Sequence, residues 1–348
     1  MAGRRSWPYG VNRWWVLLFI ILGIVAAAAW PPVRPTVQLP AEVLSSAPLV
    51  TLPVVGPIYL TNTMVALGLA DLVLLALVLA MRRALSGGKM VLSGISGALE
   101  ALLEVLFNLT ESTAGRWAKR IFPWVATIVL LVLLANWMEL IPGVDSIGFL
   151  HSAEGAQEGH PVQALGQLGS LPIITIVKTA LEEPGGAAGL VEGVARVDRG
   201  FVVVPFVRVA STDLNFTLSL ALISVVMTQV YGVRALGSRY FGKFFNTGTL
   251  FNKPMFGAID FGVGLLELVS EFSKILSFTF RLFGNIFAGS VLLFVIGSLV
   301  PVFMPSMFLM LEFFVGMIQA IVFGMLTLIF MSQATAGHGQ GAHEPQST

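Results

Sequence analysis

One apolar segment near the C-terminus, from Pro254 to Val300, constrains the fold more than any other feature of the sequence. A helix rises 1.5 Å per residue, so this segment would extend about 70 Å, whereas the hydrocarbon core of a bilayer is about 30 Å thick. A membrane helix of this length has to tilt steeply, bend or break. A steep tilt would let it wrap around a curved partner within the membrane.

The composition agrees with a membrane protein. Hydrophobic residues make up 56% of the chain and charged residues 11%, whereas soluble domains carry about 25% charged residues. The net charge of +1 gives no reason to expect a nucleic-acid partner. There is no cysteine, and the four histidines lie outside the apolar segments. We therefore expect no metal site and no cofactor.

Other apolar segments are also long enough to cross a bilayer. They are Trp14 to Trp30, Ile58 to Met81, Ile121 to Ile141, Asp213 to Val233 and Pro305 to Met331. Segment 14–30 has a basic start and a small-residue end, which fits either a cleaved signal or a retained anchor. Leucines at helical spacing among glutamates predict an amphipathic helix on the membrane surface within 85–120.

These segments predict an all-α polytopic membrane protein. It would have about five spanning helices, an N-terminal signal or anchor helix in 1–31 and the cytoplasmic amphipathic helix. An external segment (32–57) would precede the membrane domain (58–333). That domain would contain an external insertion (143–212) and be followed by a disordered cytoplasmic tail (334–348).

The basic residues predict the orientation. The short stretches 82–120 and 234–253 hold ten Lys and Arg residues, whereas the longer stretch 142–212 holds four. Because basic loops stay in the cytoplasm, we expect 82–120, 234–253 and the C-terminus on that side. Stretches 31–57 and 142–212 would lie outside.

The long apolar segment carries a polar stripe. Steps of 3, 4, 3, 4 and 4 residues place one set on a single helix face: Glu267, Ser270, Lys274, Ser277, Arg281 and Asn285. A charge at the bilayer centre costs at least about 2.5–3.5 kcal/mol, and arginine cannot discard its proton. Arg281 is thus predicted to supply a permanent positive charge, unless it pairs with Glu312 of the same chain. Glu267 and Lys274 could instead be a polar stripe near the cytoplasmic interface.

Further polar residues lie in the other spans. In the last span Gln319, on the face of Glu312, could hydrogen bond the guanidinium or tie two helices together. Asn136 and Glu139 lie near the outer end of one span, and Asp213 and Asn215 begin another from the outer side. Each alone could sit in the headgroup layer. Together with Glu312 they could line a watery path from outside.

Three motifs resemble subunit a of the rotary F-type ATP synthases: LSFTFRLFGNIFAG (276–289), NWMELIP (136–142) and DLNFTLS (213–219). The resemblance covers about residues 58–333, and Gln319 falls where the family places a glutamine facing its essential arginine. Two features depart from the family. Ser290 stands where many members have an acidic residue or histidine, and the external insertion is long.

The resemblance implies a role for each candidate residue. Arg281 would face the rotating c-ring, against which a long tilted C-terminal helical hairpin packs, with Asn285 and Gln319 beside it. Glu267, Ser270 and Lys274 would border the cytoplasmic half-channel. The outer half-channel would contain Asn136, Glu139, Asp213, Asn215 and Glu312.

The resemblance also implies partners and a location. The partners would be the c-ring, the b subunit of the stator and, through b and delta, the F1 sector, all at the plasma membrane of a bacterium. No phosphate-binding G-x-x-x-x-G-K-[ST] loop is present, so ATP chemistry would belong to other subunits. The coupling ion, H⁺ or Na⁺, stays open.

Two alternatives remain at this point. An ion-coupled secondary transporter often shows internal repeats, but no second copy of the Arg281 motif is found. A structural assembly subunit would tolerate Arg281→Gln.

Overall fold

A computed structural model describes most of the chain. The described residues are 41–45, 47–53, 56–86, 94–141, 144–152, 160–168, 171–176, 201–237, 240, 242, 244, 254–300 and 303–336, with nine more between 14 and 25. Those nine are helical, but the rest of the expected signal or anchor, most of the basic loop 234–253 and the tail beyond 336 lie outside the described residues.

The described residues form six long helices, which we number in chain order. They are α1 (Asn62–Ser86), α2 (Ile95–Ala114), α3 (Ala118–Trp137), α4 (Leu214–Leu236), α5 (Pro254–Leu299) and α6 (Phe303–Thr335). Short 3-10 helices occupy Gly115–Trp117, Met138–Leu140 and Ala210–Thr212. Helix α6 therefore extends past residue 334, where the tail was expected to begin.

Within the described residues, five helical segments are long and apolar enough to span a membrane. They are Asn62–Ser86, Ser96–Leu140, Leu214–Leu236, Phe261–Leu299 and Met304–Thr335. Large apolar side chains on these segments are exposed, as suits a surface that meets lipid. The prediction of an all-α polytopic membrane protein is confirmed.

Helix α5 runs unbroken through 46 residues. Pro254 occupies its first turn, where a missing amide hydrogen costs nothing, and Pro301 follows its end. Of the three ways to fit this segment into a bilayer, a break in the helix is excluded, which leaves tilting or bending.

The chain divides into two compact units. The first unit comprises residues 1–65, 139–208 and 287–314, and the second comprises 66–138, 209–286 and 315–348. The long helices α5 and α6 each contribute residues to both units.

The first unit contains strands that the sequence patterns did not predict. The antiparallel pairs are β1 (Val50–Leu52) with β2 (Gly56–Ile58), β3 (Gly148–Ser152) with β6 (Phe201–Pro205), and β4 (Val162–Leu168) with β5 (Leu171–Ile176). Strand β6 alternates buried and half-buried residues, as a strand does. A Cβ atom at Gly148 would overlap the Val204 carbonyl, so glycine is needed for this pairing.

The second unit has an apolar core between helices. Helix α3 contributes Ile121, Val125, Val129 and Val132, four apart or three apart, as one buried stripe. Residues of the α5 and α6 portions in this unit complete the core, among them Leu282, Ile286, Leu328 and Met331. Helix α2 buries Leu106 and Thr110 and exposes Glu104 and Glu111, so it is amphipathic as predicted.

Candidate functional site

Arg281 lies near the centre of the spanning segment Phe261–Leu299. Its neighbours Phe278 and Leu282 are buried in the core of the second unit, whereas Arg281 itself is half-buried. The guanidinium donates one hydrogen bond, 3.2 Å long, to the hydroxyl of Ser277. Among the described residues, no carboxylate lies within 4.0 Å of the guanidinium. Its charge is therefore not balanced by a carboxylate of this part of the chain.

Arg281 lines an open groove of about 340 Å³ in the second unit. The groove lining combines polar residues of α5 with apolar residues of α6: Ser270, Ser273, Lys274, Ser277, Phe278, Arg281, Leu326 and Phe330. Three serine hydroxyls and two cationic groups thus face one cavity. Such a lining can hold water next to the guanidinium.

Lys274 is held in the groove by two contacts. Its ammonium donates to Oε1 of Glu271 at 3.0 Å and lies 4.7 Å from the centroid of the Phe330 ring. Glu271 is 7% exposed and was not among the residues selected from the sequence. The signal for it was its spacing of three residues from Lys274 on a helix, which favours an ion pair. Glu267, predicted for the same half-channel, is half-buried.

Two buried carboxyl groups meet helix α5 in the first unit. The hydroxyl of Ser290 donates a 2.5 Å hydrogen bond to Oε1 of Glu139. At the preceding residue, a Cβ atom on Gly289 would overlap the carboxylate of Glu312. Both acids are buried, and they approach α5 at adjacent residues. Ser290, which departs from the family pattern, therefore binds an acid instead of supplying one.

Asn136 makes hydrogen bonds within the second unit. Its amide donates to the carbonyl oxygen of Gly316 at 3.1 Å, and its Oδ1 accepts from the hydroxyl of Ser211 at 2.6 Å. A Cβ atom at Gly316 would lie 3.1 Å from that of Asn136, so the glycine permits the close approach. These bonds tie α6 and the 3-10 turn before α4 to the end of α3.

Asp213 and Asn215 also lie in the second unit. Asp213 is buried and caps α4, because its side chain accepts from the amide of Asn215 at 2.9 Å. The side chain of Asn215 is exposed. Asp213 therefore caps α4 with a buried side chain, whereas the side chain of Asn215 is not buried beside it.

Asn285 and Gln319 were predicted to flank the arginine. Asn285 is exposed one turn after Arg281, and Gln319 is half-buried on α6. In the described part of the chain neither side chain hydrogen bonds the guanidinium, which bonds to Ser277 alone.

The sequence of this chain matches a known protein family over most of its length. Residues 63–332 match the family model described as ATP synthase A chain. The chain belongs to the ATP synthase A chain family. Every residue of the candidate site falls within the matched range.

Individual bacterial relatives of the ATP synthase A chain family are similar over shorter stretches. "ATP synthase subunit a" of a Nitratiruptor species is 27% identical over 196 residues, covering 56% of this chain and 55% of the relative. The Buchnera aphidicola subsp. Schizaphis graminum protein of that name is 26% identical over 204 residues, covering 57% and 56%. A Campylobacter jejuni protein of that name is 38% identical over 85 residues, covering 24% and 34%. The chain thus spans about half the length of these relatives or less.

Proposed function

We propose that this chain is the stator subunit of the membrane sector of a rotary F-type ATP synthase. It would provide two offset half-channels for protons, separated by Arg281. The observation that carries the proposal is a guanidinium near the middle of a spanning helix, with no carboxylate of the described chain to balance it. A charge at this depth of a membrane needs a partner, and a carboxylate on a second protein would supply one.

The proposed partner is a ring of c subunits, each with one carboxyl group. That group is neutral while it faces lipid, because burial disfavours the ionised form. Beside Arg281 the ionised form becomes favourable, so the proton leaves through one half-channel. A proton from the other half-channel then neutralises the next carboxylate. Each charge that crosses 100 mV releases about 2.3 kcal/mol, which drives rotation.

Each half-channel is assigned to one group of side chains. The groove of Ser270, Lys274 and Ser277, with Glu267 near it, would open to the cytoplasm. Glu139 and Glu312, which meet α5 at Gly289 and Ser290, would accept protons from outside. Along the sequence of α5, the groove residues precede Arg281. The two residues that Glu312 and Glu139 approach follow it. This order supports a path in which protons cannot pass without visiting the ring.

The remaining parts of the proposal concern the assembly. Arg281 borders an exposed face of α5 that includes Ser277, Phe280 and Asn285, and this face would meet the ring. Subunit b would hold the chain in the stator, and b with delta would connect it to the F1 sector. The complex would lie in the plasma membrane of a bacterium, with the C-terminus of this chain in the cytoplasm. Catalysis of ATP formation would belong to the F1 sector.

The proposal is tested by ATP-driven acidification of inverted membrane vesicles that contain the whole complex. Arg281→Ala should abolish acidification while the chain remains in the membrane, as an immunoblot would show. The matched control is Arg116→Ala, because Arg116 is an exposed arginine outside the groove. Acidification that persists in the Arg281→Ala vesicles would overturn the proposal.

A further inference from the structure

The antiparallel pairing of β3 and β6 continues for at least one residue pair beyond the ends of the two strands. Gly148 is paired with Pro205, and the amide of Phe206 donates to the carbonyl of Ile147 at 3.0 Å. Because antiparallel partners move in opposite directions along the chain, the same register places Asp145 opposite Arg208. Asp145 belongs to the turn that follows the Met138–Leu140 helix, and Arg208 follows the last strand of the external insertion.

Arg208 interacts with carboxyl groups on two segments of the first unit. Its charge acts on Asp145 and also on Glu42. Glu42 is fixed by Asn62, whose side chain donates to Oε2 at 3.3 Å and whose Oδ1 accepts from the Glu42 amide at 3.2 Å. His151 of β3 also lies near Glu42. Arg208 is thus placed at the junction of the insertion, the N-terminal segment and the turn at Asp145.

Asp145 is a half-buried acid next to the proposed outer half-channel. Its Oδ1 atom is shielded from solvent and has no hydrogen-bond partner among the residues that the structure describes. Burial raises the pKa of Asp145 to about 6, although the positive charge of Arg208 opposes the increase. Asp145 lies close enough to Glu139 for its charge to act on that carboxyl group. An acid with these properties exchanges a proton near neutral pH.

We propose that Asp145 is the first proton-accepting carboxyl of the outer half-channel and that Arg208 of the external insertion stabilises its ionised form. A proton from external water binds the Asp145 carboxylate. It then passes to the Glu139 carboxylate, which leaves Asp145 ionised opposite Arg208 and ready for the next proton. This inference rests on the proposed role of Glu139 and gives the insertion a function in proton uptake.

The surroundings of Asp145 determine the direction of the expected effects. Arg208 favours the ionised form of Asp145, whereas burial disfavours it. Removing the arginine should therefore raise the pKa of Asp145 further. A nearby opposite charge changes the pKa of a carboxyl by about 1–3 units, so the external pH of half-maximal conduction should increase by about one unit or more.

The experiment measures passive proton conduction in right-side-out vesicles that contain the complex stripped of its F1 sector. A potassium diffusion potential drives the flux, and the external pH is varied. Asp145→Asn should lose most of the conduction. Asp145→Glu should conduct at nearly the wild-type rate, because this variant keeps a carboxyl group. Arg208→Gln should conduct, with the expected increase in half-maximal pH. Glu104→Gln, at an exposed glutamate of α2, serves as the matched control.

Two results would overturn the inference: wild-type conduction by Asp145→Asn at every pH, or an Arg208→Gln profile that coincides with the wild type. Loss of conduction in both Asp145→Asn and Asp145→Glu, with the chain present in the vesicles, would also contradict it. Glu312→Leu separates this inference from the proposed function. If Glu312→Leu vesicles conduct normally, the outer half-channel itself is wrongly assigned, whereas normal conduction in Asp145→Asn alone refutes only the role of Asp145.

Discussion

Gly289 lies under the carboxyl group of Glu312, at a point where any side chain on residue 289 would overlap the carboxylate oxygens. The next residue, Ser290, donates its hydroxyl hydrogen to Glu139. Two adjacent residues of α5 therefore make room for one acid and bind the other. The size of residue 289 and the hydroxyl group of residue 290 together determine where the two carboxyl groups lie.

Enlarging residue 289 should displace Glu312. We expect Gly289→Val to lose most ATP-driven proton pumping while the chain stays in the membrane, and Gly289→Ala to lose less, because its side chain is smaller. Gly262→Ala is the matched control on the same helix, since a Cβ atom there meets nothing within 4 Å. Pumping by Gly289→Val at the rate of the control would show that the position of Glu312 is unimportant.

Glu312 and Glu267 should differ in their importance for transport. Glu312 is buried against α5 in the first unit, whereas Glu267 is half-buried in the second. Glu312→Leu removes a proton-accepting group of the proposed outer half-channel, so we expect it to impair ATP-driven acidification more than Glu267→Leu. Equal and nearly normal rates in both variants would refute the outer half-channel.

Spacing along α5 predicted much of the groove. The steps of three and four residues placed Ser270, Lys274 and Arg281 on one helix face, and the structure brings all three to one cavity. Glu271 was missed because it lies beside the stripe rather than in it. Its burial results from packing within the second unit, and a spacing rule for one helix contains no information about that packing.

The strands of the first unit and the hydrogen bonds of Asn136 could not be predicted from the sequence, because they join residues that are distant along the chain. Strand β6 pairs with β3, some fifty residues earlier, and nothing in the local pattern of either strand specifies the other. That Asn136 lines a watery path stays a prediction, and the structure adds its hydrogen bonds to Ser211 and Gly316. A polar residue near the end of a span looks the same in the sequence whether it faces water or satisfies a buried carbonyl.

Asn136→Leu should destabilise the chain. It removes the hydrogen bonds of Asn136 to the Ser211 hydroxyl and the Gly316 carbonyl. Each buried polar group that stays unsatisfied lowers the free energy of unfolding by about 1–3 kcal/mol. We expect a lower denaturant midpoint for the purified complex, and a smaller decrease for Ser211→Ala, which removes one bond. Wild-type stability combined with lost pumping in Asn136→Leu would instead place this side chain in the proton path.

The pair of Lys274 and Glu271 should behave as a unit in a double-mutant cycle. Lys274→Met removes the cation that lies 3.0 Å from a largely buried carboxylate, so it should reduce both the amount of chain in the membrane and the pumping rate. Glu271→Gln should be milder, because Lys274 keeps its contact with the Phe330 ring. The double variant should recover part of the loss, since neighbouring charges are coupled by about 0.5–3 kcal/mol. If the two losses simply add, the ion pair does not position Lys274, and its place in the groove must be explained by Phe330 alone.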